Sequence, residues 1–107
     1  MRKTILLLCA ALLMVSCGAG KVKETFENES VQIGSTYDEL VAAAGSPQNE
    51  IKTEKAILAS YITVLTGGYF GVLLEKDADG VFRVSKYTED KTEGAAYEIQ
   101  IKNADKN

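Results

Sequence analysis

The 107-residue chain has no histidine, no tryptophan, a single proline and two cysteines. Without histidine it lacks the side chain most used for proton transfer near neutral pH and the commonest metal ligand, which removes most hydrolase and metalloenzyme schemes. Positive charge is also in deficit: 12 basic side chains face 15 acidic ones, a net of −3, so a broad basic surface for nucleic acid is excluded. The length accommodates one small domain.

What is present begins with a segment unlike the rest. Arg2 and Lys3 precede residues 5–15 (ILLLCAALLMV), an unbroken apolar run of eleven. That is the length of a signal-peptide core and too short to span a bilayer. The run leads into Met14-Val15-Ser16-Cys17, which resembles the lipobox of bacterial lipoproteins, with Met at the place usually held by Leu. The resemblance implies that residues 1–16 are removed as a signal peptide and that Cys17 is acylated, becoming the first residue of the mature chain. The plainer reading, an ordinary secretory signal with an incidental Cys17, leaves a lone thiol without a use. Cleavage removes Arg2, Lys3 and Cys9 and leaves 91 residues, with 10 basic against 15 acidic side chains and a net of −5. No disulfide remains, so the fold rests on core packing alone. Two or three acyl chains suffice for stable anchoring, since each buried methylene contributes about 0.8 kcal/mol and a single chain is marginal. Residues 18–30 (GAGKVKETFENES) are small, polar and charged, and read as a flexible tether of about a dozen residues. Phe26 is the tether's one aromatic and a candidate to dock on the domain.

Residues 31–47 carry the clearest local signals. Thr36 is a candidate N-cap, with Glu39 three residues later placed to complete a capping box. Tyr37, Leu40, Val41 and Ala44 recur at i, i+3, i+4 and i+7, one amphipathic stripe on a helix of about nine residues. Gly45 falls where a left-handed residue ends a helix, and Pro47 forbids continuation. So short a helix needs a surface against which to bury its stripe.

Residues 56–74 (AILASYITVLTGGYFGVLL) carry no charge over nineteen positions, long enough to be weighed as a membrane span. Gly67-Gly68, the β-branched and aromatic bias of residues 60–64, and the turn chemistry that follows favour two buried strands instead, about 57–65 and 69–76. Asp77-Ala78-Asp79-Gly80 then fits a three-residue hairpin loop, a type I turn closed by Gly80 in the left-handed region. Pairing Asp77 with Val81 sets Leu74 opposite Val84 and Glu75 opposite Arg83, whereas a two-residue loop sets Lys76 against Arg83, a like-charge clash. The same acidic turn loosely follows the first half of an EF-hand loop, but Lys86 stands where a bidentate Glu is required, so no metal is assigned. After a polar loop, residues 97–102 (YEIQIK) alternate as a half-buried strand does, and 103–107 read as a frayed tail. The expected fold class is α+β: one short helix packed on a three- or four-stranded antiparallel meander, with the domain spanning residues 31–102.

The sequence also resembles a known family. Ile33-Gly34-Ser35-Thr36-Tyr37-Asp38-Glu39-Leu40, followed by Ala44-Gly45-Ser46-Pro47, is similar to the G-x-[ST]-x-x-x-[VL]-x-x-x-x-G-x-P signature of the SmpA/OmlA (BamE-like) small lipoproteins. A strand bearing Tyr61 and a hairpin through Leu73, Leu74, Gly80, Val81 and Val84 follow the family's order over about residues 31–87. The family carries a further helix ahead of the motif, for which residues 23–30 are a short candidate here, and a strand at Tyr97 is additional to its pattern. The related β-lactamase-inhibitor-like fold uses a similar unit. The resemblance implies an outer-membrane lipoprotein facing the periplasm. Its role would be that of a small scaffold or accessory in outer-membrane protein assembly or envelope maintenance, with an envelope protein as partner.

Candidate partner contacts are the aromatics Tyr61, Tyr69, Phe70 and Tyr87, the alternative for each being the core. A second class of function is a periplasmic ligand-binding or protein-inhibitor module, whose activity would survive loss of the lipid. An enzyme is not expected: the mature chain has no histidine, no free thiol and no serine in a G-x-S-x-G turn. Adjacent carboxylates such as Asp38-Glu39 and Glu89-Asp90 cannot share one helix or strand face. No cofactor is implied, and the sequence assigns no oligomeric state.

Overall fold

The computed structural model describes residues 18–63 and 65–106, so the expected signal peptide and Cys17 lie outside the described residues. Along the chain run helix α1 (Ala19–Glu27), helix α2 (Tyr37–Ala44), strands β1 (Asn49–Lys52), β2 (Ala56–Thr63), β3 (Gly68–Lys76) and β4 (Phe82–Thr88), and helix α3 (Lys91–Lys106). The strands form one antiparallel sheet in the order β1-β2-β3-β4, so the fold is α+β.

The uncharged middle of the chain is the centre of this sheet. Strand β2 buries its first six residues in succession, with no alternation. A strand reads this way when helices cover both faces of its sheet. Ile57, Ala59, Tyr61, Phe70, Val72, Leu74 and Val84 turn to one face, where Val22 of α1 and Leu40 and Ala44 of α2 complete the main core. Ala56, Leu58 and Leu73 turn to the other and meet Tyr97 and Ile101 of α3. Among the described residues no helix is long and apolar enough to cross a membrane.

Helix α2 begins as its sequence predicts. The Thr36 side-chain oxygen accepts the Glu39 N–H at 3.1 Å, and the Glu39 carboxylate accepts the Thr36 N–H at 2.7 Å. Leu40 and Ala44 are buried from the same stripe. At the other end the Gly45 N–H donates to the Val41 carbonyl, with Gly45 at φ 86° and ψ 179°. This differs from the left-handed helical conformation expected there: φ is positive, but the chain is already extended, a region open almost only to glycine. Pro47 follows, and the Gln48 side chain then accepts the Ile62 N–H at 2.9 Å, tying the helix exit to the end of β2.

The β3–β4 hairpin adopts the register that its turn chemistry requires. Leu74 faces Val84, Glu75 faces Arg83, and the Asp77 N–H donates to the Val81 carbonyl at 2.9 Å, with Gly80 at φ 82°. Asp77 uses one carboxylate oxygen on the N–H groups of Asp79 and Val81 and the other on Arg83, which engages the carboxylate inside the turn.

Three elements differ from the sequence reading. Residues 19–27 are a helix where a flexible tether was expected, so the packed unit begins at Ala19 rather than Val31. Its two isolated apolar residues, Val22 and Phe26, are spaced i, i+4 and therefore form a stripe, which the open sheet face makes worth ordering. Strand β1 has no counterpart in the sequence reading, which assigns nothing to residues 49–52; it is a polar edge strand whose ladder with β2 is made by backbone. Residues 97–102 lie in helix α3, not in a strand, and the helix continues to Lys106 where a frayed tail was expected. The alternation Tyr97, Ile99, Ile101 misleads because Tyr97 and Ile101 are also i, i+4: both are buried, while Ile99 is 61% exposed. Asp90 caps this helix, its side chain accepting the N–H of Thr92 at 2.8 Å.

Candidate functional site

Strand β4 carries a bulge. Val84 pairs with Leu74 but Lys86, not Ser85, pairs with Leu73. One extra residue turns every following side chain to the opposite face. Tyr87 is thereby set beside Val72, on the α1 side of the sheet. Its ring centre lies 4.2 Å from that of Phe26 and 5.5 Å from that of Phe70, which are themselves 5.4 Å apart. Phe70 is 2% exposed and Tyr87 44%, so the cluster has a buried root and an open side.

A shallow groove of about 220 Å³ runs along this cluster, lined by Lys23, Phe26, Glu27, Phe70, Tyr87 and Glu89. Lys23, Phe70 and Glu89 also border a larger groove of about 570 Å³, which extends to Ala19, to Thr66 and Gly67 of the β2–β3 turn and to Gly68 at the start of β3. The Lys23 amine stands 3.2 Å from the Glu89 carboxylate between the two. An exposed pair of this kind contributes little stability, but it fixes both charges at the rim of the aromatic surface. Aromatic area bordered by charges of both signs has the composition of a binding surface.

The four aromatics read as partner contacts are dispersed. Tyr61 is fully buried, its hydroxyl donating to the Gly45 carbonyl at 2.8 Å, and it serves the core. Phe70 is core that roots the cluster, and Tyr87 alone presents substantial area. Tyr69 turns to the opposite face and packs under α3, where Gly94 leaves no room for a side chain beside its ring. Phe26, noted in the sequence only as able to dock, completes the surface. Lys23 and Glu89 were not anticipated, because their meeting depends on α1 being a helix.

The glycine-rich motif has a different task, at the other end of the sheet. The Gly34 N–H donates to the Val84 carbonyl at 2.8 Å, and the Gly34 carbonyl accepts from Arg83 at 3.0 Å, fastening the motif to the outer edge of β4. Hydrogen bonds from Arg83 and then from the Val81 N–H hold the Asp77 carboxyl below its ordinary pKa, and those from Thr36 do the same for Glu39. The Tyr37 hydroxyl donates to Glu50 at 2.6 Å. Burial, then that carboxylate, pushes its pKa up to about 12, so it stays protonated and has no acid–base task near neutrality. Among the described residues no group of three or more His, Cys, Asp or Glu is placed to hold a metal ion.

No family model, curated protein or solved structure matches this chain.

Proposed function

We propose that this chain is a lipid-anchored envelope protein acting as a small scaffold or accessory protein-interaction module, held by acylated Cys17 at the outer membrane and facing the periplasm. The observation that carries the reading is the aromatic ledge, in which Tyr87, 44% exposed on an edge strand, stands on Phe26 and Phe70. A rigid, half-open aromatic with charged neighbours is the usual anchor of a protein interface. Attachment to a membrane raises its effective concentration for a membrane-bound partner. Kinship with the SmpA/OmlA lipoproteins belongs to the same proposal. Helix α1 stands ahead of the Gly34 motif, where that family carries a helix, and residues 97–102 are helix rather than an added strand. A fold does not carry a function with it, so the contact itself is the thing to test.

A photo-crosslinking side chain in place of Tyr87, in acylated protein at native expression, should capture a protein of the outer-membrane assembly machinery. The same probe at Ile99 on the far helix should not. No adduct at Tyr87, or equal adducts at both positions, would overturn the reading. The Cys17→Ala protein separates the alternative, since a scaffold loses its partner on leaving the membrane while a ligand-binding or inhibitor module keeps its activity.

A further inference from the structure

A flexible tether of a dozen residues would hold the domain off the lipid headgroups, but helix α1 occupies that stretch and leaves no spacer. The Ala19 N–H donates to the Thr63 side-chain oxygen at 3.0 Å, which pins the start of α1 to the end of β2. Gly18 is pressed against the same place, for a Cβ there would lie 2.7 Å from that oxygen and 3.2 Å from the Ile62 carbonyl. Gly18, the residue that follows Cys17 in the chain, is thus held at the end of β2. Leu65 is two residues beyond Thr63, in the turn between β2 and β3. Gly18 and Leu65 therefore lie at one end of the domain, and Leu65 is 99% exposed, more than any other large apolar side chain described.

We propose that this turn is a second membrane contact: Leu65 enters the bilayer beside the acyl chains on Cys17, so that the domain rests on lipid with the β2–β3 end down. The inference rests on the acylation of Cys17 proposed above. An apolar side chain with no protein neighbour gains by leaving water, and the anchor already holds it at the surface. The turn itself brings no charge into the lipid, because residues 56–74 carry none. Lys23, Lys91 and Glu89 line the groove next to the turn and come to headgroup height; Glu89 is paired with Lys23 at 3.2 Å, which leaves the Lys91 amine to meet lipid phosphates. The acidic turn at Asp77 and Asp79 is at the opposite end of the sheet, away from the anionic surface. In this pose the Phe26–Tyr87 ledge faces sideways along the membrane, so a partner is met at the lipid surface rather than above it.

The chain has no tryptophan, so a single introduced one reports cleanly. Leu65→Trp and, as the far-end control, Ala78→Trp are prepared as full-length protein processed in its own cells. They are then reconstituted in phosphatidylethanolamine–phosphatidylglycerol vesicles with brominated acyl chains, and mass spectrometry reports the acyl groups. The expected result is a blue-shifted tryptophan in Leu65→Trp that loses most of its emission to the brominated chains, and unchanged emission in Ala78→Trp. Acylated, vesicle-bound protein with both tryptophans unquenched would leave the anchor standing and overturn the second contact. Protein without acyl groups would overturn the anchor, and the turn's contact with it.

Discussion

Replacing Phe26 with alanine removes the ring that joins α1 to the sheet. The side chain is half-buried, so its area term is about half of the 1.5–3 kcal/mol for full burial, roughly 1 kcal/mol. Its two ring contacts, at 4.2 and 5.4 Å, add about 0.5–1.5 kcal/mol each. Phe26→Ala should therefore cost about 2–4 kcal/mol, which in a domain of this size lowers Tm by at least about 8 °C. Thermal unfolding followed by circular dichroism, on protein beginning at residue 18, measures it. Glu27→Ala, on the exposed side of the same helix, should stay within about 0.5 kcal/mol of wild type. A wild-type Tm for Phe26→Ala would refute the docking of α1 and restore the flexible tether, and with it a domain standing clear of the membrane.

Leu40→Ala empties a site that is 0% exposed, and urea unfolding should register a loss of about 2–5 kcal/mol; an unchanged midpoint would mean that α2 is not packed on the sheet. Gly45→Val forces a branched side chain to φ 86° and should cost about 1–3 kcal/mol, whereas Ala42→Val on the exposed side of α2 costs less than about 1 kcal/mol; equal losses would contradict the glycine's role. Asp77 and Glu39 have folded pKa values below their unfolded ones, so their stabilisation is complete above the unfolded pKa, about 4, and is lost as pH falls through the folded value. Tm should decline on acidification below about pH 4, less steeply in Asp77→Asn; identical acid limbs for the two proteins would contradict the assignment.

The parts of the fold that were legible in the sequence are those whose determinants are local. Asp77, Gly80 and the charges at positions 75, 76 and 83 fix the β3–β4 register within one hairpin, and Thr36, Glu39 and Gly45 delimit α2 from within. Helix α1 was illegible because Val22 and Phe26 form a helix only when a sheet face is available to cover, and that face is assembled from residues over thirty positions away. Strand β1 offers no pattern because an edge strand is held by its backbone. Residues 97–102 satisfy two periods at once, and the arbiter was upstream: Asp90 with Glu93 three residues on is a helix start. For the candidate site, the sequence named Tyr87 but not its face. The bulge at Ser85, a property of the paired strands, decides that Tyr87 meets Phe26 and Phe70 instead of α3. Tyr61 and Phe70 were drawn into the core because α1 and α2 cover that face of the sheet.

The anchored envelope function turns on what the cell does to the seventeenth residue. Mass spectrometry of the N-terminal peptide, taken from protein in the membrane fraction, reads it directly. We expect a mature chain that starts at Cys17 and carries two or three acyl chains, and a Cys17→Ser protein that leaves the membrane. A mature chain that starts elsewhere, or an unmodified Cys17 in protein still bound to the membrane, would contradict the anchored envelope function.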